Sequence, residues 1–148
     1  MATPAELALV DTNVLIYSLL QADPHHQAAR ALIERAQDGA VDLCVTPPIL
    51  LEFFSAITNP REVTTPYSAD EALTEIEAFL SIRGLALLPV PPDVVERWTA
   101  LVRRTPVIGP AVFDLQIAAT MLGNGVRRIY TFNRADFARI AELEVLSP

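Results

Sequence analysis

Compact apolar runs alternate with amphipathic stretches along this chain. Residues 7–10 (Leu-Ala-Leu-Val), 41–45, 85–90 and 128–132 are short and rich in aliphatic or aromatic side chains, and each predicts a buried strand. Between them apolar residues recur at helical spacing. Val14, Leu15, Tyr17 and Leu19 form one set, Ala28, Ala29, Leu32, Ile33 and Ala36 a second, Ala72, Leu73, Ile76, Phe79 and Leu80 a third, and Val94, Val95, Trp98, Leu101 and Val102 a fourth. Two further helices, 47–58 and 111–122, are apolar on nearly every face, which predicts burial on most sides. A last run, 143–146, predicts an edge strand.

The punctuation agrees with this pattern. Asp23-Pro24 and Thr46-Pro47 place a capping residue before a proline in the first helical turn. Ser68 and Glu71 form a capping box, Pro91-Pro92-Asp93 opens a helix, and Gly39, Gly84 and Gly123-Asn124-Gly125 close helices. Strands that alternate with helices imply a three-layer α/β/α architecture around a central, mainly parallel sheet of four to five strands. With 148 residues a single domain, 1–148, is expected.

Against this apolar background a few acids stand out. Asp11 falls at the carboxyl end of the first strand, where open α/β sheets bind ligands; a helix cap is the other reading of that position. Glu52 stands in the middle of the first apolar helix, where an ionised group needs a partner or a metal unless it snorkels to the edge. Asp114, in the first turns of the second apolar helix, repeats that logic, with the helix dipole as its structural alternative. Asp136 lies just beyond the fourth strand beside Thr131 and Asn133, and Asn133 also reads as the cap of the last helix with Asp136 as its partner. Glu71, Glu75 and Glu77 lie off the centre of their helix's apolar stripe and read as a solvated face.

Composition narrows the chemistry. The net charge of −7 argues against a general nucleic-acid clamp, yet several acids in a metal site would carry cations of their own. All eleven basic residues are Arg, so any mechanism that requires a lysine is excluded. His25 and His26 are adjacent, do not share a helix face and read as solvated first-turn residues, which disfavours a His-based zinc site or a Ser-His-Asp triad. Cys44, the lone cysteine, reads as a small buried hydrophobe. Trp98 reads as core or subunit interface, since no neighbouring aromatic accompanies it. No apolar run reaches the roughly 20 residues of a membrane span, and the start, Met-Ala-Thr-Pro-Ala-Glu, lacks a basic region and an apolar signal core, so a cytoplasmic location is expected. No Gly-x-Gly-x-x-Gly or Gly-Lys-Ser/Thr loop offers a phosphate cradle. A receiver-type site would need a lysine and an extra acidic pair, and a dehalogenase-type phosphatase would need Asp where Asn13 stands. Four carboxylates without Lys or His suit a hard cation, Mg²⁺ or Mn²⁺, better than zinc.

Val-Asp11-Thr12-Asn13-Val-Leu-Ile-Tyr, Glu52 within Leu-Leu-Glu-Phe-Phe, Asp114 within Phe-Asp-Leu-Gln-Ile-Ala-Ala-Thr, and Thr131-x-Asn133-x-x-Asp136-Phe137 together resemble the PIN domain. The resemblance is greatest to the VapC ribonuclease toxins of toxin–antitoxin modules, and the four ordered motifs cover nearly the whole chain. It implies that Asp11, Glu52 and Asp114 are metal ligands, with Asp136 as the fourth site acid and Asn133 at a nearby place that can also be acidic. Asn13 and Thr131 resemble the family's supporting polar residues. The same resemblance implies a Mg²⁺- or Mn²⁺-dependent endoribonuclease, expected to leave 5′-phosphate and 3′-hydroxyl ends, to form a homodimer and to be inhibited by a VapB-type antitoxin. The alternative is a catalytically weak PIN-like chain that serves as a binding or regulatory partner in an antitoxin complex; a nuclease that acts on DNA, or without an antitoxin, is a third reading. Substrate grip would fall to arginines, with Arg61, Arg103, Arg104, Arg127, Arg128 and Arg134 as candidates.

Overall fold

The structure, a computed structural model, describes residues 2–148. Five strands, β1 (Ala8–Val10), β2 (Leu43–Val45), β3 (Leu85–Leu87), β4 (Arg128–Tyr130) and β5 (Glu144–Leu146), form one sheet in the order β3-β2-β1-β4-β5. Every pairing is parallel, with Leu9 opposite both Cys44 and Ile129, Cys44 opposite Ala86, and Ile129 opposite Val145. Parallel strands need crossovers. These are supplied by α1 (Thr12–Tyr17), α2 (His26–Gln37), α3 (Pro47–Thr58), α4 (Ala69–Leu80), α5 (Val94–Arg104), α6 (Val112–Gly123) and α7 (Arg134–Ala138).

All residues of β1 and β2 are buried, whereas β3 and β5, at the sheet edges, expose part of theirs. The core joins those central strands to Val14, Leu15, Ile33, Ile49, Phe53, Leu115, Met121 and Phe137, all of them buried. Cys44 belongs to it, and burial pushes its thiol up to about 12. Trp98 packs half-buried against the same core. The chain runs from β1 outward to β2 and β3, then returns to β4 on the other side of β1. The strand order therefore reverses between β1 and β4, which opens a crevice beyond their carboxyl ends.

Several local expectations shift. The third strand stops at Leu87 rather than residue 90, because its partner β2 ends at Val45, where Pro47 already opens α3. The second helix starts at His26, later than Asp23-Pro24 predicts: the Asp23 carboxylate accepts the His25 backbone N–H at 2.8 Å and makes a turn instead of a cap. The Ser68–Glu71 capping box forms in both directions. The largest departure is α3, which buries only Ile49, Phe53 and Ile57 and leaves Leu51 73% exposed. Its apolar surplus faces outward. No single helix among the described residues is long and apolar enough to cross a membrane.

Candidate active site

Asp11 follows β1 directly and is the N-cap of α1, so the strand-end position and the helix cap coincide in one residue. It is 9% exposed. One carboxylate oxygen accepts the Thr12 backbone N–H at 2.8 Å; the other accepts the Thr131 hydroxyl at 2.8 Å and the Asn13 amide at 3.2 Å. Thr131 follows β4 and is fully buried. Its hydroxyl oxygen also receives the Asn133 backbone N–H at 3.0 Å and the Asn13 side-chain amide at 3.3 Å. Asn13 in turn accepts the Phe132 backbone N–H at 3.3 Å. The first and fourth strand ends are thus stitched together by side chains whose donors all lead to one carboxylate.

Asn133 occupies the N-cap position of α7, but its side chain makes no capping bond and Asp136 does not close a box with it. The Thr131 hydroxyl accepts the Asn133 N–H, the donor that the box would have given to the Asp136 carboxylate. Asp136 stands exposed in the first turn of α7, free to face the crevice. Asp114 stands half-buried in the first turn of α6, ahead of that helix's buried stretch from Leu115 onward. Glu52 does not sit among buried neighbours as the apolar helix predicts. It is exposed on α3, and its carboxylate is held by the Thr12 hydroxyl at 2.9 Å.

Glu52, Asp114 and Asp136 line a crevice of about 670 Å³, with Leu51, Phe113 and Gln116 on its walls. Asp11 is not among the lining residues, but Thr12 joins it to Glu52 and its charge reaches Asp114. The acids feel one another. Burial, followed by the charges of Asp136, Asp11 and Glu52, pushes the Asp114 carboxyl up to about 6, and only Arg139 opposes the shift. Burial is also the largest cause of the raised pKa of Asp11; the hydrogen bonds from Thr131 and Thr12 oppose it, and the charges of Glu52 and Asp136 add to it. None of the four acids forms an ion pair among the described residues.

This donor set fits a hard divalent cation: all-oxygen, anionic and without a protein cation to neutralise it. Among the described residues no three such side chains come close enough together to hold an ion as they stand, so the protein would supply only part of an ion's coordination. That suits an ion that keeps several of its own waters.

Three contributors escape a reading of the sequence. Thr12 looks like an ordinary first-turn residue, yet it gives its backbone N–H to Asp11 and its hydroxyl to Glu52. Its only signal is its place between two candidate residues at a strand end. Arg139, just past α7, is the cation whose field reaches Asp114. His25 is no simple solvated residue, since its ring stacks on Tyr17 and leans on Phe132. Of the arginines considered for substrate grip, Arg104 is tied to Glu142, Arg128 to Glu144 at 3.3 Å, and Arg134 donates to the Val145 carbonyl at 3.4 Å.

The family model of the PIN domain matches residues 8–143. Ribonuclease VapC24 of Mycobacterium tuberculosis is 33% identical over 141 residues, which cover 94% of each chain. Among solved structures, the Mycobacterium tuberculosis toxin VapC20, a Sarcin-Ricin loop cleaving toxin, superposes with a TM-score of 0.69 at 17% identity over 96% of this chain and 99% of that one. A chain of the VapBC2 complex of Rickettsia felis bound to a DNA fragment from its promoter gives 0.66 at 17% identity, over 95% and 98%. The two superpositions speak to the fold, and the first two matches to descent. The chain belongs to the PIN-domain family, in its VapC ribonuclease branch.

Proposed function

We propose that this chain is an endoribonuclease toxin of the VapC type that works with Mg²⁺ or Mn²⁺ and is held in check by a VapB-type antitoxin. The observation that carries the reading is that Glu52, Asp114 and Asp136, from three different helices, line one crevice within reach of the charge of Asp11, with no ion pair to any of the four. Asp11, Glu52, Asp114 and Asp136 would hold the metal. When bound, the ion lowers the pKa of a water and stabilises charge on the leaving oxygen of an in-line phosphodiester displacement.

The residues themselves divide the remaining work. Thr131, Asn13 and the Thr12 N–H hold the Asp11 carboxylate in one orientation, as the outer partners of metal ligands do. Asp114, raised to about 6, is ionised at neutral pH and becomes more acidic once a cation sits beside it. Arg139 is engaged by no carboxylate among the described residues. It lies where it can draw an RNA phosphate toward the acids and offset their repulsion. The histidines lie outside the acid crevice, so no imidazole base is assigned.

The antitoxin partner is supported by the toxin–antitoxin structures among the similar folds, two of them VapBC. Leu51 at 73% and Phe113 at 65% exposure, both on the crevice walls, and Ile108 at 92% are apolar surface that an antitoxin segment or a second copy would cover. A homodimer is part of the proposal.

Incubating the antitoxin-free protein with total RNA tests it. Cleavage is expected with Mg²⁺ or Mn²⁺, abolished by chelation, and reduced at least about 100-fold in Asp114→Asn. Cleavage that survives both treatments would overturn the site. A purified protein that cuts no RNA with either metal would favour the binding-partner reading, and cleavage of DNA alone would change the substrate.

A further inference from the structure

Beside the acid crevice, one residue along the chain from Thr131, three aromatic rings meet from distant parts of the sequence. The Tyr17 and His25 rings stack with centroids 4.8 Å apart and planes 18° from parallel. Phe132 meets Tyr17 edge-on at 5.4 Å and His25 at 4.6 Å, tilted by 57°. Tyr17 and Phe132 each rest half-buried against the core. His25 does not; its side chain is 47% exposed and forms the outer surface of the cluster.

The cluster is held in place by its neighbours. One oxygen of Asp23 accepts both the His25 backbone N–H at 2.8 Å and its ring Nδ1–H at 2.9 Å. His26 bonds the Tyr17 carbonyl through Nδ1 at 2.8 Å, tying the start of α2 to the end of α1. On the other flank Phe132 lies between Thr131 and Asn133, and its N–H reaches Asn13, which bonds Asp11. Two hydrogen bonds therefore separate the aromatic surface from Asp11. A half-exposed flat ring, held by Tyr17 and Asp23 and linked through Phe132 and Asn13 to Asp11, is the kind of aromatic surface on which proteins stack the bases of single-stranded nucleic acid.

We propose that His25, backed by Tyr17 and Phe132, is a stacking platform for an unpaired RNA base next to the scissile phosphate. The proposal rests on the ribonuclease reading above and adds the position at which the substrate is gripped. It also implies that the substrate is single-stranded, or splayed open, at the cut, because a paired base offers no free face.

The test uses short single-stranded RNAs, one spanning the cut where cleavage maps one and a set of mixed sequence otherwise, with 2-aminopurine placed at each position in turn. Binding is read by fluorescence in the Asp114→Asn protein, and cleavage in the otherwise unaltered protein. Quenching is expected at one position beside the cut. His25→Leu, which fills the space without a π face, should remove that quenching, weaken binding by about 5- to 100-fold, and raise KM by a similar factor with kcat little changed. His25→Phe should restore binding, quenching and KM, which a purely structural role for the imidazole and its Asp23 bond would not allow. Thermal melting of each variant separates these effects from unfolding.

Quenching and KM indifferent to His25→Leu, or a loss that His25→Phe does not rescue, would overturn the platform while cleavage itself stands. Quenching that depends on His25 in a protein that cuts no RNA would keep the platform and remove the ribonuclease reading. The absence of both cleavage and quenching would remove both.

Discussion

Asp11 and Glu52, joined through Thr12, are held in opposite ways. Asp11 is 9% exposed and accepts hydrogen bonds from Thr12, Thr131 and Asn13 on both of its oxygens. Glu52 stands exposed on a helix face and is held by one hydroxyl, that of Thr12. The buried acid has its rotamer fixed before any ligand arrives; the exposed one keeps most of its freedom. A divalent ion held by both would therefore meet one rigid ligand, the floor, and one adjustable ligand, the wall. Thr12 serves both, its backbone committed to one acid and its hydroxyl to the other.

The largest effect should come from removing the rigid half. Asp11→Asn keeps the shape, but its single carbonyl oxygen can accept from Thr12 or from Thr131 and not from both, since these donate to different oxygens of Asp11, and it withdraws the charge a cation needs. RNA cleavage should fall by at least about 100-fold, while the metal-free protein melts close to the parent, because losing the buried charge offsets the lost hydrogen bond. Glu52→Gln should cost activity less, about 10-fold, since an exposed side chain can be replaced in part by water in the coordination of a hard ion. Equal losses in the two variants would erase the distinction between floor and wall.

That distinction is only half legible in the sequence. The strand ends are: an Asp after a buried run and a Thr-x-Asn after another share one edge of a parallel sheet, and it is the pairing of β1 with β4 that brings Thr131 onto Asp11. Glu52 and Asp114 look alike, each one acid in an apolar helix, and the sequence predicts the same burial for both. They differ because α6 runs into the core from Leu115 onward, whereas α3 touches it only along Ile49, Phe53 and Ile57. An apolar face turned outward carries no mark that tells it from one turned inward. The aromatic cluster is hidden for another reason: Tyr17, His25 and Phe132 are joined by the path of the chain, and no periodicity links them.

A smaller effect separates the partly buried acids from the exposed ones by pH. The Asp114 carboxyl is raised from 3.8 to about 6, so the folded state favours its neutral form. Its contribution is unchanged below pH 4; between pH 4 and 6 the unfolded chain ionises first, and metal-free stability is lost as pH rises through that window. The raised pKa of Asp11 acts in the same direction. Relative to the parent in chelator, Asp114→Asn should melt higher at pH 7.5 and at nearly the same temperature at pH 4. Saturating Mn²⁺ should narrow the gap at pH 7.5 by stabilising the parent, which binds it. A gap that is independent of pH would mean that the acids do not repel one another across the crevice.

The smallest effect is expected at Thr12, and it isolates the wall from the floor. Thr12→Val has nearly the same shape and leaves the backbone N–H on Asp11 in place, while removing the hydroxyl that holds Glu52. Freeing a long, mobile carboxylate that must later be fixed costs about 0.5–1.5 kcal/mol, so cleavage should drop by about 2- to 10-fold. Stability should hardly change, because the partner left behind is exposed to water. The effect should also vanish when Glu52 is already Gln, since the anchored charge is then absent. If Thr12→Val were instead as damaging as Asp11→Asn, Thr12 would belong to the rigid floor through its side chain as well as its backbone, and Glu52 would be as fixed as Asp11.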